Sequence, residues 1–156
     1  MAIAAPRMFA LSLASISLIG PLAIHLFLPA IPVVKQTFGV SDGLAQLTFS
    51  VALYAMAFST LVYGALSDRY GRRPVLLAGL GLFLAGCMIC ASAVSLPMLM
   101  AGRLIQALGA GCGTTLGRAI AKDAYGPAEL TRAIAYLSMF YTLGPMVAPV
   151  VAGLLI

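Results

Sequence analysis

The stretch GALSDRYGRRPVLL, Gly64 to Leu77, interrupts a chain that is otherwise almost continuously apolar. It gathers one acid, three arginines, two glycines and a proline between two long apolar runs, 45–66 and 75–94. Each run has the roughly 20 residues that a helix needs to cross a bilayer's hydrocarbon. A charged joint between two such runs reads as a hairpin at a membrane surface. Gly64 and Gly71 permit close backbone approach or unusual dihedrals. Pro74 suits the opening of the next helix, and Arg69, Arg72 and Arg73 hold the joint at the aqueous face.

Composition agrees with that reading. Of 156 residues, 62% are hydrophobic and 8% charged, with a mean hydropathy of +1.08. A water-soluble domain carries about a quarter charged residues, so this surface has to meet lipid. The net charge of +5 is no nucleic-acid signature, because the basic residues lie in short clusters between apolar runs and form no basic stripe interleaved with aromatic residues. Cys87 and Cys90 form a C-x-x-C inside an apolar run with no second ligand pair. They read, with Cys112, as small packing residues rather than a metal or redox site.

Five spans follow, at about 8–28, 45–66, 75–94, 98–120 and 133–156. The joints carry turn chemistry at Pro29/Pro32, Asp68 to Pro74, Ser95 to Pro97 and Asp123 to Thr131. The first apolar run exceeds the ~7–15 residues of a signal-peptide core, so it reads as a retained helix. With the N-terminus in the cytoplasm, Arg7, Arg69, Arg72, Arg73, Arg118, Lys122 and Arg132 fall on or near the cytoplasmic side. Only Lys35 falls in an outer loop, and Arg103 lies within span 4. That asymmetry sets the orientation. The last residues, Gly153 to Ile156, are apolar with no polar flank, which reads as the front part of a longer chain.

The 64–77 stretch closely resembles the loop signature between the second and third helices of the major facilitator superfamily. Gly64, Leu66, Asp68, Arg69, Gly71 and Arg72 match it. Span 4 resembles the family's intramembrane Arg followed by Gln-x-x-Gly, at Arg103, Gln106 and Gly109. Span 5 resembles the Gly-Pro motif of proton-driven antiporters, at Gly144, Pro145, Pro149 and Gly153, with Ala152 where a second glycine is common. GPLAIHLFLPAIP, Gly20 to Pro32, resembles the first helix of the bicyclomycin/chloramphenicol-resistance type of drug:proton antiporter. The resemblance implies an all-α polytopic membrane protein: five transmembrane helices of an incomplete N-terminal six-helix bundle.

It also implies roles. Gly64, Asp68, Arg69, Gly71, Arg72 and Asp123 would form a latch that biases one conformation. Arg103, Gln106 and His25 would border a central solute and proton path. By helix position alone, Tyr54, Phe58, Phe27 and Met139 read as apolar contacts for cargo. The glycines Gly102, Gly109, Gly113 and Gly117 in span 4 form a small-residue stripe for close helix packing. A cation within a span costs roughly 2.5–3.5 kcal/mol on insertion scales, so Arg103 should face a cavity or a partner. All four carboxylates, Asp42, Asp68, Asp123 and Glu129, fall in joints. His25 stands where the subtype has an acid. Beside Arg103 a protonated imidazole would be repelled, so either His25 works mostly as a neutral hydrogen-bonding group or coupling relies on groups elsewhere.

The resulting expectation is transport without catalysis. It is proton-coupled efflux of a drug-like amphiphile by alternating access across the bacterial inner membrane, driven by the proton gradient with no cofactor. The missing C-terminal half is needed for transport, and lipid is the other partner; no nucleic acid is expected. The alternatives are a major facilitator carrier of a sugar, amino acid or other metabolite, and a truncated membrane protein that transports nothing.

Overall fold

A computed structural model describes residues 7–155, with side-chain surroundings given for residues 8–126 and 129–147. The described residues are helical and contain no strand. Helix α1 runs Arg7–His25, a single 3-10 turn follows at Leu28–Ala30, and a short α2 covers Ile31–Phe38. Then come α3 (Asp42–Tyr70), α4 (Arg72–Ala91), α5 (Leu96–Ala124) and α6 (Pro127–Leu155). Helices α1, α3, α4, α5 and α6 are the five transmembrane helices. By length and apolarity alone, three stretches of the described residues qualify: Met8–Phe38, Asp42–Tyr70 and Arg72–Ala91.

The joints are tighter than the sequence suggests. Between α3 and α4 only Gly71 is non-helical, at φ +92°. An L side chain is strained there, which is why the joint needs glycine. Asp68 and Arg69 are the last turn of α3, and Arg72 and Arg73 open α4 two residues ahead of Pro74. Charged residues at the ends of the apolar runs do not stop a helix, since every added turn still satisfies its own backbone groups. Hence α3 reaches 29 residues, about 43 Å at 1.5 Å per residue, longer than the hydrocarbon it crosses.

The Pro29/Pro32 region, expected to be a plain joint, holds two short helical pieces. Each proline sits in the first two positions of its piece, where a missing N–H costs nothing. Gly39, at φ +61°, ends α2. Ser41 then caps α3, its Oγ accepting from the Leu44 N–H at 3.4 Å. Lys35 Nζ meets Asp42 Oδ1 at 2.7 Å across this turn.

At the centre lies α5, packed on α4, α3 and α1, while α6 packs mainly on α1. The glycines of α5 are not one stripe, as the sequence suggested. Gly109 abuts the backbone of Phe83 and Gly79 on α4, and Gly102 abuts Cys90. Gly113 and Gly117 abut Ile16 and Ser17 on α1, and Gly111 abuts Met56 and Ser59 on α3. Gly79 and Gly86 of α4 return the fit, receiving Cys112 and the backbone of Gln106. With no side chain in the way, backbones come close enough for dispersion contacts that lipid cannot replace. Several hydroxyls inside the bundle bond within their own helices, as Thr48 Oγ1 does to Ala45 O at 2.6 Å and Ser59 Oγ to Met56 O at 2.9 Å.

A methyl at Gly109 would collide with the α4 backbone, whereas one at Gly81 meets nothing within 4 Å. Gly109→Ala is therefore expected to destabilise the protein by about 1–3 kcal/mol, and Gly81→Ala to leave it unchanged or slightly firmer. Thermal melts of the two variants in detergent check this.

Candidate functional site

Two polar clusters stand out, one within the bundle and one at the end that carries the α3–α4 joint. The first is centred on Arg103. Its helix packs tightly against α4 and α1, so the side chain is only 4% exposed. The guanidinium carbon lies 4.0 Å from the centre of the Phe27 ring, a distance at which the ring's negative face attracts a cation. Nη1 donates to Gln106 Oε1 at 2.7 Å and to the Ala23 carbonyl at 3.3 Å. The Gln106 amide in turn donates to Cys87 Sγ at 3.1 Å. Nε and Nη2 are buried and have no hydrogen-bond partner among the described residues.

Thus Arg103 and Gln106 come together as their spacing suggests, one helical turn apart. The guanidinium is enclosed by protein. His25, half-buried at the last turn of α1, makes no hydrogen bond or ion pair with Arg103 among the described residues. Arg103 instead grips the chain on either side of it, at Ala23 and Phe27. Tyr54 and Phe58 do not join this cluster. They are 79% and 63% exposed on the face of α3 turned away from Ala52, Met56 and Ser59, the residues that face the core. Met139 is likewise exposed on α6.

The second cluster is built on Arg72. Its Nη1 meets Asp68 Oδ1 at 2.6 Å, and its Nε donates to Asp123 Oδ2 at 2.8 Å. Nη1 also donates to Ser67 Oγ. One guanidinium thus ties the end of α3, the start of α4 and the end of α5. Arg69, expected in the same group, instead lies over its neighbour Tyr70, 5.3 Å from the ring centre. Gly64 is half-buried with open space where a Cβ would point. Beside the cluster an open groove of about 420 Å³ runs between α1, α4 and α5, walled by Phe9, Leu13, Ile16, Leu76 and Ile120. It lies apart from Arg103.

In the α6 motif, Gly144 packs on α1, and a Cβ there would sit 2.9 Å from Pro21. Pro145 is half-buried. The surroundings of Pro149 and Gly153 lie outside the described residues. Sequence reasoning missed Ser67, the Ala23 carbonyl and Cys87. Ser67 depends on the one-residue joint at Gly71, which brings it back over Arg72. The other two depend on helix rotation, which no local pattern encodes.

The family model described as the Major Facilitator Superfamily matches residues 13–156. The chain belongs to the major facilitator superfamily. Its members are transporters rather than enzymes, and the fold above is that of a multi-pass membrane protein. Among its relatives, Multidrug resistance protein D of Escherichia coli K12 is 33% identical over 137 residues, covering 88% of this chain and 35% of the relative. The uncharacterized MFS-type transporter YdgK of Bacillus subtilis 168 is 33% identical over 141 residues, 90% of this chain and 35% of the relative. Multidrug resistance protein MdtL of Escherichia coli O139:H28 is 31% identical over 138 residues, with 88% and 35% covered. The chain therefore spans about a third of the length of these curated relatives.

Because Arg72 and its acids are solvated, with side-chain exposures of 30%, 67% and 53%, their pairing adds little to stability. Asp123→Asn is expected to lower stability by no more than about 1 kcal/mol, read by thermal melts. A loss of several kcal/mol would make the cluster a structural staple.

Proposed function

We propose that this chain is the N-terminal part of a bacterial inner-membrane drug:proton antiporter of the bicyclomycin/chloramphenicol-resistance type, working by alternating access. The observation that carries the reading is the likeness, over nearly nine-tenths of the chain, to two proteins named for multidrug resistance. An enclosed arginine at the α1–α5 contact supports it, since such a residue in a span marks a solute or ion path. The N-terminus lies in the cytoplasm, as the distribution of arginine and lysine indicates.

In this reading the Arg72 cluster sits at the cytoplasmic face and latches the outward-facing or inward-facing form. Pairs worth a few tenths of a kcal/mol each can bias a two-state equilibrium. Tyr54 and Phe58, with Met139, line the solute path facing the other half of the transporter. Exposed apolar side chains of α4, such as Leu84 and Met88, meet lipid. Gly144 and Pro145 shape the contact of α6 with α1. Protons enter through His25 or through groups of the second half, and the proton gradient drives the cycle without a cofactor.

The protein made from its complete reading frame, expressed in a host lacking its own efflux pumps, is expected to raise the inhibitory concentration of at least one amphiphilic drug. Dissipating the proton gradient should abolish the effect, and Asp68→Asn should slow efflux several-fold. A drug panel with no shift, from protein verified in the membrane, overturns the reading. If His25 carries protons, His25→Asn uncouples efflux while His25→Asp alters its pH dependence; unchanged coupling in both assigns the proton to another group.

A further inference from the structure

Helices α1 and α4 both pack on α5 but scarcely on each other. The gap between them is the groove of about 420 Å³, with Ile120 of α5 at its floor. Phe9, Leu13 and Ile16 form one wall and Leu76 the other. From Phe9 to Ile16 is about 10 Å of helix, so the trough runs from the end of the bundle into its apolar part. Over that length the volume amounts to a cross-section of roughly 40 Å². A helix, about 10–12 Å across with its side chains, needs about twice that area. A hydrocarbon chain is slimmer and fits.

Four polar residues also line the groove: Ser12, Arg72, Arg73 and Asp123. The Ser12 hydroxyl donates to the Phe9 carbonyl of its own helix, and Arg72 donates to Asp123. Arg73 is left, exposed and in no ion pair among the described residues. It is the second residue of α4, so its charge stands where the apolar walls reach the end of the bundle. Arg69 and Lys122, in the last turns of α3 and α5, add exposed positive charge at the same end. An apolar trough with a basic rim, placed where helices leave the hydrocarbon, matches a molecule with an apolar tail and a negative head. Each arginine or lysine at a membrane surface favours anionic lipid by about 5-fold.

We propose that this groove seats an acyl chain of an anionic phospholipid, whose phosphate meets Arg73. A zwitterionic lipid carries a cation beside its phosphate and gains less from the basic rim. The bound lipid touches α1 and α4 at once, bracing two helices that scarcely brace each other. The inference goes beyond the transport reading and does not depend on it, since it requires only that the bundle sits in a membrane.

Photolabelling tests this on the protein from its complete reading frame in phosphatidylcholine nanodiscs. Phosphatidylglycerol or phosphatidylcholine with a diazirine on one acyl chain is added at equal mole fraction, and labelled residues are mapped by mass spectrometry. Phosphatidylglycerol is expected to label groove residues such as Ile16 and Leu76 about 5-fold or more over phosphatidylcholine. Leu84 and Met88, on the outer face of α4, should show no preference between the two. Arg73→Gln should bring groove labelling by phosphatidylglycerol down to the phosphatidylcholine level. Equal labelling of the groove by both lipids overturns the proposal, because it reduces the groove to general lipid contact. Absence of groove labelling by either lipid overturns it too, and shows that another segment of the protein covers the groove. An undiminished preference in Arg73→Gln also overturns it. Should that variant fail to fold, the comparison of the two lipids on the unaltered protein still decides.

Discussion

Everything in this bundle depends on how closely three helices can approach α5. Within lipid there is no hydrophobic gain from bringing helices together, so association rests on dispersion contacts and interhelical hydrogen bonds. Glycines at the contacts of α5 with α1, α3 and α4 remove the side chains that would hold the backbones apart. The close fit then permits cross-helix bonds such as Ser17 Oγ to Gly113 O and Thr115 Oγ1 to Thr60 O, each at 3.4 Å. Because different glycines serve different neighbours, α5 is a hub and not one half of a two-helix zipper.

The same packing creates the electrostatic problem at Arg103. A helix enclosed on three sides has nowhere to send a cation, so one guanidinium nitrogen is engaged by a backbone carbonyl of α1 and an amide of its own helix, and an aromatic ring lies against the group. These partners are neutral, and the positive charge remains. The Arg72 cluster is the opposite case, with two acids for one base and ready access to water. One site is short of negative charge where charge is expensive; the other has enough where charge is cheap. Retaining the first is a cost to stability, and that cost points to function.

The spans were legible in the sequence because runs of about 20 apolar residues have few alternatives. The Arg72–Asp68 pairing was legible too, since four residues across a helix hairpin leave little freedom. Less was readable at joints. Hydropathy marks where a chain leaves the hydrocarbon, not where its helix stops, so the one-residue turn at Gly71 and the short α2 were not foreseen. Interval counting placed Gly102, Gly109, Gly113 and Gly117 on one stripe, but it cannot tell which neighbour each glycine meets. Tyr54 and Phe58 show the same limit. Position on a helix suggested the solute path, yet their exposure in this bundle is as great as that of side chains on the outer face of α4.

Under the proposed function, two surfaces of similar exposure and apolarity carry different meanings, a wall facing solute on α3 and a wall facing lipid on α4. Phe58 is 63% exposed and Leu84 is 61% exposed, so the bundle alone does not separate them; water does. The direct measurement is reaction of a charged, membrane-impermeant thiol reagent with single-cysteine variants of the protein from its complete reading frame, its native cysteines replaced. If α3 lines an alternating path, Phe58→Cys is modified rapidly, at a rate that changes with the proton gradient, while Leu84→Cys stays unmodified. Equal protection of the two positions, or equal modification, would contradict a transporter built on this bundle.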